Sequence, residues 1–288
     1  MTDFGAILTA MVTPFDAQGR VDQAATVKLL DHLFNTGSDG VVVCGTTGEA
    51  ATLSDEEHLG FIRFVTEQTR AQHPGKTVIA GVGSNDTRHA VHLTEQATAA
   101  RPDGLLAVNP YYNKPGPRGV KAHYSEVVKA TDLPILLYNI PGRTGEDLSN
   151  ELLKELAQLD HIVGVKQANA NNLAKIDGLS IYAGDDDTLA AVLDLGEPGG
   201  ILTGSHIFGT EFRRLADDPE NRAAVNAGLR DTFTDLSIAP RAVSCKAALN
   251  LIGVNVGGPR LPYVALDESE TDVIRVLLER HGLLGAKT

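Results

Sequence analysis

Residues 162–169 read IVGVKQAN, a short apolar run that ends in a lysine. Ile162 to Val165 suit a buried β-strand, and Lys166 stands where the pattern predicts another aliphatic side chain. A charged amine away from water is costly unless it is paired or loses its proton, and a neutral lysine is a nucleophile. Lys166 therefore has two interpretations: a strand end whose amine reaches solvent, or a catalytic amine.

Seven further runs rich in branched residues are similar to this one and alternate with longer segments of helical period. The candidate strands begin at Ala6, Gly40, Thr77, Gly104, Pro134, Ile162, Leu179 and Gly199, and amphipathic stretches between them include Ser54–Arg70, Asp86–Ala100 and Ser149–Leu159. Eight strand–helix units in succession predict an α/β fold, a (β/α)8 TIM barrel. A doubly wound sheet is the alternative, and it requires a different strand count.

The pattern changes after about Asp217, where strand signals stop and residues 219–286 show helical periodicity. We therefore expect a (β/α)8 barrel catalytic domain over residues 1–218 and a C-terminal helical region over residues 219–288. No low-complexity linker separates the two regions.

Composition restricts the classes of partner. The 288 residues carry a formal net charge of -12 without a cluster of Lys and Arg, which disfavours nucleic acid. The N-terminal run AILTAMV is too short to cross a membrane and no basic leader precedes it, so we expect no membrane partner. Cys44 and Cys245 lie in apolar contexts, which indicates a reducing compartment and a cytoplasmic location. No nucleotide-binding glycine fingerprint occurs at a strand–helix junction, and we expect no cofactor and no metal.

Polar residues follow several strands, at the end of a (β/α)8 barrel where the chemistry lies. GTTGE at residues 45–49 offers hydroxyls and glycine-rich backbone N–H groups to a small anion. Tyr138 ends the fifth strand and Arg143 follows five residues later, and they offer a proton donor and a two-point grip on a carboxylate. Together with Lys166, these groups suit attack on a keto group, Schiff-base formation and carbon–carbon bond making at the adjacent carbon.

Other conspicuous residues have simpler interpretations. The aspartates at 185–187 resemble metal ligands, but we expect them to cap a helix N-terminus. The tyrosines at 111–112, on a Pro- and Gly-rich loop, are expected to fill an interface. His89 and His92 are assigned to an exposed helix face, and only the stem of Lys246 is expected to be buried.

Seven short motifs occur in one order: MVTPF, GTTGE, NPYYNKP, YNIPGRTG, GVKQAN, AGDD and GPRLP. In this order they resemble the N-acetylneuraminate lyase and dihydrodipicolinate synthase superfamily, from about Ala10 to Leu266. The paired threonines of GTTGE and the arginine of IPGRTG are most similar to the dihydrodipicolinate synthase branch. The resemblance implies a TIM barrel and a metal-independent condensation of pyruvate with L-aspartate 4-semialdehyde, a step of lysine and diaminopimelate biosynthesis.

The resemblance also implies roles for individual residues. Lys166 would form the Schiff base with pyruvate, while Thr47 and Arg143 would bind the carboxylates of pyruvate and aspartate semialdehyde. The family is typically a homotetramer built from tight dimers, so we expect a homotetramer. The proton relay would be formed by Thr46, Tyr138 and Tyr112, with Tyr112 coming from a neighbouring subunit. Gly184 and the backbone of Leu202 would line the pocket.

Two alternatives remain open for the function. A pyruvate-dependent aldolase or lyase acting on a sugar-derived 2-keto-3-deoxy acid or N-acetylneuraminate would use the same lysine and relay. Arg143 suits a short carboxylated aldehyde, whereas a sugar acid needs more hydroxyl partners. A catalytically inactive barrel that serves as a binding module predicts loss of the lysine or the relay, and both are present.

The sequence departs from the family pattern at several positions. Gln167 stands where a glutamate is usual, and the eighth strand reads GGILTGSHIFG instead of a GVISV-like run. The segment from Lys166 to Gly184 is short, which predicts a trimmed helix after the sixth strand. Asp55 and His89 stand where lysine-inhibited members carry His and Glu, so we expect L-lysine to inhibit weakly or not at all.

Overall fold

Eight parallel strands form a closed barrel in chain order in the computed structural model, which describes residues 2–284. The last strand pairs with the first, with Leu8 opposite Ile201, and this pairing closes the barrel. The predicted (β/α)8 barrel is thereby confirmed, and the doubly wound sheet is excluded. The strands are β1 (Ile7–Ala10), β2 (Gly40–Val43), β3 (Thr77–Gly81), β4 (Gly104–Val108), β5 (Ile135–Asn139), β6 (Ile162–Gln167), β7 (Ser180–Ala183) and β8 (Gly199–Leu202).

Helices connect the strands and continue after the last one. They are α1 (Gln23–Asn35), α2 (Asp55–Gln72), α3 (Thr87–Ala99), α4 (Gly116–Val127), α5 (Pro141–Thr144), α6 (Asn150–Leu156), α7 (Leu189–Asp194), α8 (Gly209–Asp217), α9 (Arg222–Gly228), α10 (Arg230–Asp235), α11 (Arg241–Leu251) and α12 (Glu268–Arg280). Met1 and residues 285–288, at the ends of the two predicted regions, lie outside the described residues. Within residues 2–284, no helix has the length and apolar character needed to cross a membrane.

The connection between β6 and β7 is unusually short. Residues 168–179, all of them described, contain a single 3-10 turn at Ala170–Asn172 and no α-helix. The chain then reaches β7 through an antiparallel bridge between Ile176 and Leu179. The predicted trimming of the helix after the sixth strand is confirmed.

Helix α2 begins at the capping box that the spacing of Ser54 and Glu57 indicates. The Ser54 hydroxyl accepts the Glu57 N–H at 3.2 Å, and the Glu57 carboxylate accepts the Ser54 N–H at 3.1 Å. Phe61, Ile62 and Val65 form the buried face of the helix. This packing fixes the far end of the GTTGE loop, residues 45–49, which leads into α2.

The alternation of side chains along the strands decides which residues enter the barrel. Leu136 and Tyr138 of β5 pack inside the barrel, whereas Leu137 packs outward against the helices. On β6, Val165 likewise points to the outer core, and Lys166 lies inside the barrel beside Tyr138. The strand pattern itself therefore places an amine within the barrel.

Candidate active site

Lys166 ends inside the barrel and not in solvent. The residue is 5% exposed, and Nζ lies 4.3 Å from the centroid of the Tyr138 ring. Lys166 and Tyr138 are direct partners in the register of β6 and β5. The interpretation of Lys166 as a strand end that reaches solvent is therefore wrong.

The protonation of Lys166 is shifted toward the neutral amine. Burial lowers the pKa of the Lys166 ammonium from 10.5 to about 8, because water no longer solvates the charge. The carboxylates of Asp185 and Asp186 raise this pKa, and the Arg143 guanidinium adds to the lowering. A usable fraction of neutral amine is therefore present near neutral pH, whereas an ordinary lysine is almost fully protonated.

The rate of Schiff-base formation with a small keto acid is expected to rise with pH and then to level off. Only the neutral amine attacks a carbonyl, and its fraction grows about tenfold per pH unit well below the pKa of about 8. Initial rates of cyanoborohydride-trapped adduct, measured by intact mass across this range, should flatten above about pH 8. A rise that continues toward pH 10.5 would indicate a solvated, ordinary lysine.

Tyr138 places a phenol beside this amine. The residue is 6% exposed, and burial raises the pKa of its phenol above the ordinary value of 10. The Asp185 carboxylate raises the same pKa further, and the Arg143 guanidinium opposes it. The phenol therefore stays protonated at neutral pH and is able to donate a proton.

A cavity of about 510 Å³ lies among the loops that follow the strands. Thr46, Tyr138 and Arg143 line it, so three of the predicted site residues share one space. Arg143 belongs to the short helix α5 directly after β5 and is exposed. Further polar and aromatic wall residues include Glu49, Thr52, Asp55, His58, Ser84, His89, Tyr111, Thr144 and Tyr263.

Lys166 and Tyr112 are not part of this wall, and neither are three other predicted residues at the same end of the barrel. Thr47 is 7% exposed, and Leu202 is fully buried at the end of β8. Gly184 follows β7 and donates its N–H to the Gln167 carbonyl at 2.8 Å. A Cβ atom at Gly184 would lie 2.7 Å from the Ala168 nitrogen, so only glycine permits this close approach of the two loops.

Tyr112 lies on the surface of the chain. The residue is 88% exposed, and its backbone adopts the left-handed conformation with φ of 72°. Such a φ is uncommon outside glycine, and the N–H of Tyr112 donates to the Thr144 carbonyl at 3.2 Å in this conformation. The neighbouring Tyr111 lines the cavity and is 38% exposed.

The aspartates at 185–187 do not act as the predicted helix cap. Asp185 occupies the cap position of a 3-10 turn without a side-chain cap bond. The buried Asp186 carboxylate instead accepts the Thr203 N–H at 2.8 Å, the Thr203 hydroxyl at 2.9 Å and the Gly204 N–H at 3.0 Å. Asp186 thus ties the turn after β7 to the turn after β8. Within residues 2–284, no group of three or more His, Cys, Asp or Glu is arranged to hold a metal ion.

Two further expectations are wrong. Lys246 buries its ammonium as well as its stem, because Nζ lies 2.6 Å from the Glu49 carboxylate and the side chain is 1% exposed. His89 is half-buried and bonds to Asp55 at 3.0 Å and to Ser84 at 3.1 Å, so it belongs to the cavity wall and not to a free surface. His92 is exposed as expected.

Comparison with known proteins identifies the family of this barrel. The model of the dihydrodipicolinate synthetase family matches residues 3–281. The chain belongs to the dihydrodipicolinate synthetase family. A relative from Heliobacterium modesticaldum, named 4-hydroxy-tetrahydrodipicolinate synthase, is 40% identical over 294 residues that cover 98% of this chain and 97% of the relative.

Solved structures of the dihydrodipicolinate synthetase family superpose closely on the chain. The enzyme from Cyanidioschyzon merolae, solved with lysine bound, is 36% identical with a TM-score of 0.92 and coverage of 98% of this chain and 99% of that one. A relative described as a monomeric dihydrodipicolinate synthase variant is 31% identical with a TM-score of 0.91, and 98% of each chain is covered.

Proposed function

We propose that this chain condenses pyruvate with L-aspartate 4-semialdehyde to give 4-hydroxy-tetrahydrodipicolinate, as a lyase of lysine and diaminopimelate biosynthesis. The observation that carries the proposal is the Lys166 amine, buried beside Tyr138 and with a pKa lowered to about 8. A nucleophilic lysine needs this kind of desolvated position. Family membership and the 4-hydroxy-tetrahydrodipicolinate synthase from Heliobacterium modesticaldum support the same reaction.

The proposed chemistry begins with attack of Lys166 Nζ on the keto carbon of pyruvate. Loss of water gives an iminium, and removal of a methyl proton converts it to an enamine. The enamine carbon attacks the aldehyde carbon of the second substrate, and the new alkoxide takes up a proton. The amino group of the second substrate then displaces Lys166 from the iminium, which closes the ring and frees the lysine.

We assign the proton transfers of these steps to hydroxyl groups. The Tyr138 ring lies beside Lys166, and the raised pKa keeps its phenol protonated between steps. Thr46 lines the same cavity as Tyr138. The exposed Tyr112 is assigned to the site of a neighbouring subunit, where its hydroxyl extends the relay.

The two carboxylates of the substrates are assigned to separate loops. Thr47 and the backbone of the GTTGE loop bind the pyruvate carboxylate, and Arg143 binds the carboxylate of the semialdehyde. A local cation is needed because the net charge of -12 does not attract anions over long range. Gly184 and the backbone of Leu202 complete the pocket behind the imine.

The test is a coupled condensation assay with pyruvate and L-aspartate 4-semialdehyde. Replacing Arg143 by alanine is expected to raise the KM for the semialdehyde about tenfold or more, while the KM for pyruvate changes less than about threefold. Arg143→Lys is the matched control, because it keeps the charge and loses the two-point grip. Cleavage of a sugar-derived keto acid without condensation would favour the aldolase alternative.

We propose a homotetramer built from tight dimers, in the cytoplasm. The outward-facing Tyr112 loop and the exposed apolar residues Leu261 and Val264 support subunit contacts. Because one relative is described as monomeric, the proposal is tested by sedimentation analysis, in which a mass of four chains is expected. Cys44 and Cys245 are free and buried, which supports a reducing compartment.

L-lysine is expected to inhibit this enzyme weakly or not at all. His89 Nε2 lies 3.0 Å from Asp55 Oδ1, so an amino acid would have to compete with this contact for both groups. Steady-state assays with increasing lysine should show little loss of activity, unlike what a high-affinity lysine site would give. Half-inhibition by sub-millimolar lysine would contradict this expectation, and calorimetry would show whether lysine binds at all.

A further inference from the structure

The most deeply buried ion pair of the described residues joins the GTTGE loop to the C-terminal helices. Lys246 of α11 places Nζ 2.6 Å from Glu49 Oε1, and the two side chains are 1% and 0% exposed. The same ammonium donates to the Gly258 carbonyl at 3.0 Å and lies 4.1 Å from the centroid of the Phe15 ring. The two buried lysines therefore have different surroundings: Lys246 is paired with a carboxylate, whereas the amine of Lys166 lies beside the Tyr138 ring.

The second oxygen of Glu49 is also used. Oε2 accepts the N–H of Arg260 at 2.9 Å. The Arg260 guanidinium lies 4.2 Å from the centroid of the Phe15 ring. Its nitrogens donate to the two oxygens of the Glu57 carboxylate at 2.6 and 2.8 Å. It also donates to the Gly19 and Thr52 carbonyls. Glu49 is therefore the buried centre of a connection between the loops after β1 and β2 and the segment after α11.

Glu49 lies within the GTTGE loop, which also carries Thr46 and Thr47. Its backbone adopts the left-handed conformation with φ of 55°, and its N–H donates to the Thr46 carbonyl at 3.1 Å. A non-glycine residue with this φ is strained unless its surroundings hold it. The two contacts of the Glu49 carboxylate, with Lys246 and with the Arg260 N–H, fix this conformation. The hydrogen bond from the Glu49 N–H to the Thr46 carbonyl then constrains the turn that contains Thr46 and Thr47.

We propose that the Glu49–Lys246 pair positions the Thr46–Thr47 loop for pyruvate, so that Glu49 and Lys246 are positioning residues of the active site. This inference rests on the proposed function, in which Thr47 binds the pyruvate carboxylate. A buried ion pair often adds little net stability over an apolar pair of similar volume. The main contribution of the Glu49–Lys246 pair is then to fix the geometry of the Thr46–Thr47 loop, and not only to add stability.

The experiment compares Glu49→Gln, the double variant Glu49→Gln/Lys246→Met, and Asp194→Asn. Glu49→Gln keeps the shape of the side chain and removes its charge, and the double variant also removes the ammonium that would otherwise be buried without a carboxylate. Asp194→Asn is the matched control, because it breaks the 2.6 Å ion pair with Arg222 in the outer helices. Each variant is measured for melting temperature, for the KM of both substrates and for the pyruvate adduct.

In Glu49→Gln the KM for pyruvate is expected to rise about tenfold or more, while the KM for the semialdehyde, held by Arg143 on another loop, changes less than about twofold. The double variant should regain melting temperature but keep the raised KM for pyruvate. Asp194→Asn should leave both KM values unchanged.

Two results would overturn the inference. One is a folded Glu49→Gln variant with an unchanged KM for pyruvate, and the other is recovery of that KM in the double variant in step with its melting temperature. Either result leaves the proposed function intact if the unaltered enzyme forms the pyruvate adduct. Absence of the adduct from the unaltered enzyme overturns the function and this inference together.

Discussion

Lys166→Ala is expected to lower kcat/KM for the condensation by at least about 10⁴-fold, because no other group replaces the nucleophile. Intact mass after incubation with pyruvate and borohydride should show one stable adduct on the native chain and none on the variant. The substitution removes a buried amine with a lowered pKa and shortens the side chain next to Tyr138. Since the removed ammonium is not stabilised by water, folding should survive this change.

Lys166→Arg is the control that separates charge from nucleophilicity. Arginine keeps a cation in the barrel but does not lose its proton in the accessible pH range, so it should be as inactive as alanine. Activity in the arginine variant would mean that Lys166 acts only as a charge. An adduct on Lys166→Ala would show that another amine is the nucleophile, and Lys246 would then be the first residue to replace.

The comparison of Lys166 with Lys246 shows why a lowered pKa alone does not identify a nucleophile. Burial lowers the pKa of both ammonium groups to about 8. Lys246 holds an ion pair with Glu49, whereas among residues 2–284 Lys166 forms none. The Lys246 amine is held as an ammonium by the Glu49 carboxylate, whereas the Lys166 amine beside the Tyr138 ring is able to react.

The barrel and the position of Lys166 could be predicted because both depend on local pattern. Strand periodicity is written in a few consecutive residues, and the carboxyl ends of barrel strands meet at one face whatever the loops do. The capping box at Ser54 is equally local, and the trimmed helix after β6 follows from a segment that is short compared with the family pattern. These parts of the prediction needed no knowledge of long-range contacts.

The wrong predictions share a long-range cause. The apolar context of Lys246 predicts burial of its stem only, and Glu49, the partner that buries its ammonium, lies far away in sequence. Asp186 suited a helix cap by position, but its carboxylate bonds to the turn after the next strand. Such pairs depend on how loops fold over the barrel, which periodicity does not specify.

Tyr138→Phe is expected to lower kcat about 10²-fold to 10³-fold while leaving the fold intact, because it removes one proton donor and keeps the ring beside Lys166. The pyruvate adduct should still form, only more slowly, so the loss should fall mainly on later proton transfers. Tyr182→Phe is the matched control: Tyr182 is buried on β7 and is the other register neighbour of Lys166, but it is absent from the cavity wall. Its kcat should change less than about threefold. Equal losses in the two variants would mean that packing around Lys166, and not a phenol proton, limits the reaction.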